Sequence, residues 1–447
     1  MNKPLREYGA WRDLDEGQRA ELLTRGVGKI FDPQLRAGIV DIFEDVKARG
    51  DAAVIDALQK FDHCEVPVGG LRITEAEFAE ARDSVSPELL AAIRDGISHV
   101  RRYNEQVLAH TPDWSFESDP GLTVGEKSSP VLSAGLFIPS GKGSYPSVLV
   151  QLGVPAVVAG VPEINVVLPP VPGQGGRVDP ACLVVADELG LSNVFRVNGP
   201  AGIAALTFGT ESISQVQKVC GPGSPPVTCA QVEMQRYGTT GVMLLGPSES
   251  LIIADDSVDV RLLAADLLNE AEHGADSTSV LVTDSASLID AVQDEVAEQL
   301  GALPEPRRTF ATSALGVNGG AVLAADLSEA AEIANTFAPE HMQIAVADIP
   351  TVFAQIHNAG EILLGQYTTV SMANYVIGCP AALPTSGYAR VGSGITAAAF
   401  RKSSSFAQAT SEALRNLSDS VIAFTEHEGF PAHREAVLKR LDQPVSA

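Results

Sequence analysis

Residues 146–170 read PSVLVQLGVPAVVAGVPEINVVLPP, and whether this stretch is a membrane span or two soluble elements decides the fold class. The apolar run is interrupted by Gln151, Pro155, Pro162 and Glu163, so it lacks the roughly 20 predominantly apolar residues that cross a bilayer as one helix. It reads as a helix followed by the buried strand INVVLP. The alternation continues on both sides, with LFIPSG before it and DPACLVVADELG, VFRVNG, AGIAALTFG and VQKVCGPG after it. Short β-branched runs separated by amphipathic helices are the pattern of parallel βαβ units.

A second alternating set begins at SLIIADD and passes through VRLLAADLLNEAEHG, TSVLVTD, ASLIDAVQDEVAEQL, AVLAAD, LSEAAEIANTFAP, MQIAVAD, TVFAQIHNAG and EILLG. The fold class is therefore α/β, with two successive Rossmann-like domains at 127–247 and 248–392. No GxGxxG follows any of the predicted strands, so both units lack the dinucleotide fingerprint. Residues 1–126 carry charged helical patterns such as PQLRAGIVDIFEDVKARGDAAVIDALQKF, with no strand alternation, and read as a helical N-terminal region. Residues 393–447 turn Ser- and Ala-rich and then helical. They read as a C-terminal arm, packed on its own body or on a partner subunit.

The formal charge of −25 would repel phosphate backbones and anionic lipid headgroups, which argues against nucleic-acid and membrane partners. The five cysteines, Cys64, Cys182, Cys220, Cys229 and Cys379, are odd in number and contain no CxxC. That argues against a disulfide framework and a cysteine zinc knuckle and fits a reducing cytoplasm. The N-terminal MNKPLREYGAWRDLDEGQ shows no apolar segment of the secretory type.

Histidine is scarce, and three of the eight stand near an acid at a predicted element end: Glu270/His273 in NEAEHGADS, Glu340/His341 in NTFAPEHM, and Glu428/His433 in EHEGFPAH. Glu270 and His273 are three apart at the end of a predicted helix, where a shared face would let a carboxylate and an imidazole begin a metal site. Taken alone, the pair reads as a solvated helix end. Two Gly-rich turns, PSGKGSYPS (139–147) and CGPGSPP (220–226), follow predicted strands. Each can bring backbone N–H groups to an anionic or polar cofactor.

Taken together these motifs are specific. GPSES (246–250), NEAEHGADS (269–277), NTFAPEHM (335–342), ILLGQYTTVSMANY (362–375), ALPTSGYARVGSG (382–394) and EHEGFPAH (426–433), with LFIPSGKGSYPS, RVNGPAGIAALTFGT and VCGPGS upstream, stand in an order and at separations that resemble the histidinol dehydrogenases. The resemblance covers about residues 20 to 440. It implies a homodimeric enzyme that oxidises an amino alcohol to the acid in two NAD-linked steps, with one zinc ion per subunit. Carried over by position, the ligands are Glu270, His273, Asn374 and, from the arm of the partner subunit, His433. The acid–base residues are Glu340 and His341, the substrate positions Ser248, Glu428 and Ala381, and the cofactor positions Phe137, Ala201 and Ser224.

Several of these positions depart from the family. Its neutral Gln ligand is the carboxylate of Glu270, and its Asp is the neutral Asn374. Both sets carry one formal negative charge, so the swap reads as compensated and suits zinc, with manganese or cobalt as alternatives. The competing expectation is a lost site in which Glu270 and Asn374 hydrogen-bond each other. A substrate-holding His has become Ala381, which favours a small polar alcohol other than histidinol, such as sulfopropanediol or another polyol. The family's Tyr, Gln and Asn at the NAD contacts are Phe137, which can still stack, Ala201, which offers no polar group, and Ser224. An authentic histidinol dehydrogenase and a non-catalytic binding protein of the same fold are the alternatives.

Overall fold

The computed structural model describes residues 3–25, 32–139, 143–241 and 246–442, so PSGKGSYPS falls partly outside the described residues. The chain divides into two compact units, 1–107 with 131–400, and 108–130 with 401–447. In the first unit β1 (Glu7–Ala10) precedes helices α1 (Glu16–Leu23), α2 (Pro33–Arg49), α3 (Asp51–Asp62), α4 (Glu75–Ser84) and α5 (Pro87–Ala109). In the second, β2 (Trp114–Asp119) and β3 (Leu122–Pro130) follow. The expectation of no strands before residue 127 is corrected here. β1 and β2 are only four and six residues long, too short for a periodic signal, and β2 is exposed along its length.

The first α/β sheet is built from β4 (Ser133–Phe137), β5 (Glu163–Leu168), β6 (Val194–Arg196), β7 (Lys218–Cys220) and β8 (Thr240–Gly241), connected through α6 (Pro146–Val158), α7 (Pro180–Glu188), α8 (Gly199–Phe208) and α9 (Pro225–Glu233). Residues 146–170 thus form the expected helix and buried strand. Neighbouring strands run parallel in the order β6-β5-β4-β7-β8. The order reverses between β4 and β7, and the crevice past the carboxyl ends of such strands is the usual place for a ligand in an open α/β sheet.

The second sheet contains β9 (Glu249–Ala254), β10 (Thr278–Thr283), β11 (Gly320–Leu323), β12 (His341–Ala345) and β13 (Glu361–Leu364), with β1 on its edge. Its order is β1-β11-β10-β9-β12-β13, all parallel. The connecting helices are α10 (Val260–Ala271), α11 (Ala286–Ala302), α12 (Arg307–Ser313), α13 (Leu327–Phe337), α14 (Ile349–Phe353) and α15 (Val370–Tyr375). Side chains alternate between faces along a strand, so Ile252 and Ala254 join one apolar core and Leu251 and Ile253 the other. Both faces are therefore buried, as parallel sheets require.

In the second unit β14 (Arg401–Ala409) pairs antiparallel with β3, which pairs with β2. Helices α16 (Ser411–Glu428) and α17 (Pro431–Leu441) complete the arm. Among the described residues no helix is long and apolar enough to cross a membrane.

Candidate active site

Local sequence sets the ends of the elements that carry the site. Asp259 caps α10 by accepting the Arg261 amide at 2.9 Å, and the helix ends at Ala271 with Glu270 in its last turn. His273 lies two residues beyond the helix, its N–H donating to the Glu270 carbonyl at 3.2 Å, so the pair meets around a turn rather than along a continuous helix face. Asp326 caps α13 through the Glu329 amide. That helix stops at Ala338, in the left-handed region at φ 52°, and Pro339 follows. Glu340 is therefore the last residue before β12, and His341 is its first.

The βαβ geometry brings these ends together. A helix that links two parallel strands returns the chain to the edge where the next strand starts. The end of α10 and the starts of β9 and β12 consequently share one edge of the second sheet. They line a cleft of about 340 Å³ whose other wall comes from Pro139 after β4 and Pro222, Gly223 and Ser224 after β7. The cleft thus opens past the carboxyl ends at the order reversal of the first sheet and past the amino ends of the second.

Among the expected residues, Ser248, Glu270, His273, Glu340, His341, Asn374, Ala381 and Ser224 all line this cleft. Glu270 is 1 % exposed, and its Oε2 is buried without a hydrogen-bond partner. Its Oε1 lies 3.4 Å from His273 Nδ1. The orphaned oxygen runs against the expectation of a Glu270–Asn374 hydrogen bond. It fits a cation instead, because a buried unpaired carboxylate oxygen costs stability unless something positive meets it. No three of the described His, Cys, Asp and Glu residues converge closely enough to hold a metal by themselves. Carboxylate, imidazole and the amide oxygen of Asn374 are the donors this unit offers.

His341 and Glu340 are both buried. His341 Nε2 is 3.9 Å from Glu340 Oε1, and its Nδ1 is 3.0 Å from Glu361 Oε2. Burial works against the charged ring, but the Glu361 bond and the charges of Glu340, Glu270 and Glu361 outweigh it and push the imidazole up to about 9. Burial raises the Glu340 carboxyl well above the carboxylate range, although His341 pulls it down. Glu340 Oε2 accepts the Glu249 amide at 3.0 Å. Burial likewise lifts Glu249 to about 7 against the pull of Arg25, whose Nη1 is 3.0 Å from Glu249 Oε2.

The family model for histidinol dehydrogenase matches residues 29–441. The chain belongs to the histidinol dehydrogenase family. It is 40 % identical over 401 residues to a histidinol dehydrogenase of Synechocystis sp., covering 90 % of this chain and 91 % of that one. It is 39 % identical over 433 residues to histidinol dehydrogenase homolog 2 of Mesorhizobium japonicum, covering 96 % and 97 %. The crystal structure of histidinol dehydrogenase from Elizabethkingia anophelis superposes with a TM-score of 0.92 at 31 % identity and 99 % coverage of both chains.

Not every family position reaches the cleft. Phe137 and Ala201 are buried in the core of the first sheet, at 1 % and 3 % exposure, and do not line it. Phe137 lies at the end of β4 with its side chain in that core. Ser224 does line the cleft, at the N-cap of α9 with no side-chain capping bond. Glu428 and His433 lie in the other unit, both exposed, at the end of α16 and in the first turn of α17.

Four residues near the cleft escaped the sequence reading: Arg25, Gln151, Glu249 and Glu361. Gln151 is a buried amide in the apolar helix α6, accepting the Ala381 amide at 3.3 Å and donating to the Ala373 carbonyl at 3.5 Å. Glu249 and Glu361 share a signal that was there to be found. Each is the acid that opens an otherwise uncharged strand, ESLIIA and EILL, as His341 opens HMQIA.

Proposed function

We propose that the chain is a zinc-dependent, NAD-linked dehydrogenase that oxidises a small polar alcohol other than histidinol. The observation that carries this reading is that Glu340 and His341 line the same cleft as the donors Glu270, His273 and Asn374. In this reading His433 completes the ligand set and Glu428 contacts the substrate, both from the arm of the second subunit of a homodimer. Zinc, when bound, supplies positive charge that polarises the alcohol oxygen and offsets Glu270. Pro222, Gly223 and Ser224 on the cleft wall would hold NAD, which would supply the two-electron acceptor for each of the two oxidations.

The chain's own residues do the rest. His341 Nε2 takes the hydroxyl proton as the carbon is oxidised. Glu340, buried beside it, orients a water for a second oxidation from the aldehyde to the acid. Substrate choice rests on Ala381. A methyl group flanked by Ala382 and Leu383 on the cleft wall offers no polar partner where the resemblance places an imidazole, and a site lacking such a partner discriminates against a ligand that needs it.

A second reading, an authentic histidinol dehydrogenase, is favoured by the 40 % identity to the Synechocystis protein. Two measurements separate them. A panel of polyols and amino alcohols, histidinol included, is assayed with NAD and NADP on zinc-loaded protein, and the gene is tested for complementation of a histidine auxotroph. Growth without histidine would overturn the first reading.

A further inference from the structure

We propose that Glu361 is a positioning residue for His341, holding the imidazole with its proton on Nδ1 so that Nε2 is left as the base. The inference rests on the reading above only in taking His341 as the base. In the parallel pairing of β12 with β13, His341 and Glu361 are direct partners. Their side chains are 4 % and 5 % exposed, with Nδ1 3.0 Å from Oε2. An ionised carboxylate has acceptors only, so the proton of this bond lies on the imidazole nitrogen. The opposite nitrogen, Nε2, is the one on the Glu340 side.

Glu361 is well suited to this role. It is fixed to a paired strand rather than to a loop, which holds an orienting group within the tolerance that proton transfer needs. The remaining charged neighbours of His341 are Glu340, Glu270 from α10 and, beyond Glu340, Glu249 from β9. Tyr103 of α5 and Cys379 are the titratable groups facing Glu361. A neutral imidazole left without an orienting partner exchanges its proton between nitrogens, and the form protonated on Nε2 cannot accept from the substrate. A carboxylate on Nδ1 removes that form and stabilises the imidazolium once the proton has been taken up.

The test reads the tautomer directly. In zinc-loaded protein labelled with ¹⁵N-histidine, the His341 signals are identified by their loss in His341→Gln and followed from about pH 6 to about pH 10, a range that spans ordinary and raised imidazole titration. Nε2 is expected to lose its proton while Nδ1 keeps it. Glu361→Gln should lower kcat on the order of 10²-fold, since a wrong tautomer cripples an oriented His, with KM changed less than about threefold. Glu361→Asp should recover part of the loss. Loss of the proton from Nδ1 in the wild-type protein overturns the proposal whether or not the variants fold, and so does a Glu361→Gln kcat within about threefold of wild type. If no alcohol is oxidised at all, the dehydrogenase reading fails, and the wild-type titration still decides which nitrogen Glu361 holds.

Discussion

At the scale of single residues, three carboxylates, Glu361, Glu340 and Glu270, act on the buried imidazole of His341, and the consequences are measurable. His341→Ala should lower turnover by roughly 10²-fold or more, the scale of a lost general base. Glu340→Gln should spare the first oxidation and accumulate a carbonyl product that a hydrazine traps. Wild-type rates in both would remove the acid–base assignment. A base must be unprotonated to work, and His341 is pushed up to about 9, so kcat/KM for alcohol oxidation should rise with pH between the ordinary imidazole value near 6.5 and that limit. A flat profile across this range would show that another group takes the proton. The orphaned Glu270 Oε2 leads to a cycle: Glu270→Gln alone should lower zinc content by removing the only carboxylate of the four donors, and adding Asn374→Asp should restore much of it. Additive effects in a metal titration would detach one of the two residues from the metal.

At the scale of elements, what holds the start of β9 in place is an ion pair between parts of the chain far apart in sequence. Arg25, two residues after α1, pairs with Glu249, donates to the Phe337 carbonyl at 2.5 Å and lies 3.7 Å above the Phe337 ring. Breaking a buried pair leaves an uncompensated charge, which costs about 3–5 kcal/mol. Burial raises Glu249 to about 7 even with Arg25 present. The unfolded chain gives up that proton first, so this group's contribution to stability falls as pH rises from the ordinary carboxylate value toward 7. Without Arg25 the decline extends further. Arg25→Met should therefore destabilise more at pH 8 than at pH 6 in urea unfolding, by roughly 1 kcal/mol or more, and Glu249→Gln added to it should recover much of the loss. Equal losses at the two pH values would mean that Arg25 acts through packing on Phe337 alone.

At the scale of the whole molecule, the donor set of the first unit is one short of a tetrahedral site, and the proposal assigns the fourth position to His433 of a second subunit's arm. Mixing tests this without a structure of the dimer. His341→Ala and His433→Ala subunits are each expected to be inactive alone. If the arm crosses, a mixed dimer contains one site with both changes and one with neither, and reassociation of equal amounts should return roughly a quarter of wild-type activity. If each arm serves its own subunit, every site carries a change and no activity returns.

Most of the order from β4 to β13 was legible because parallel strands buried on both faces are continuous apolar runs and the helices between them keep an amphipathic period; α9, the two-residue β8 and the short α12 were not read. Strands β1, β2, β3 and β14 were not legible either: β1 at four residues is too short for its alternation to be read, and β2, β3 and β14 have no continuous buried face to impose one. The acid–base pair, the Glu270 and His273 donors and Ser224 could be named from ordered motifs, each one local in sequence. What the sequence could not show is pairing across distance. Glu361 meets His341 because two strands twenty residues apart start in register, and Arg25 meets Glu249 from 224 positions away. Motif matching was also blind to direction: it gave Phe137 the same standing as Ser224, whereas the pleat of β4 turns one ring into the core and the cap of α9 leaves one hydroxyl in the cleft. Side-chain direction and register are set only when the sheets assemble, and in this protein they decide which of the named residues face the cleft.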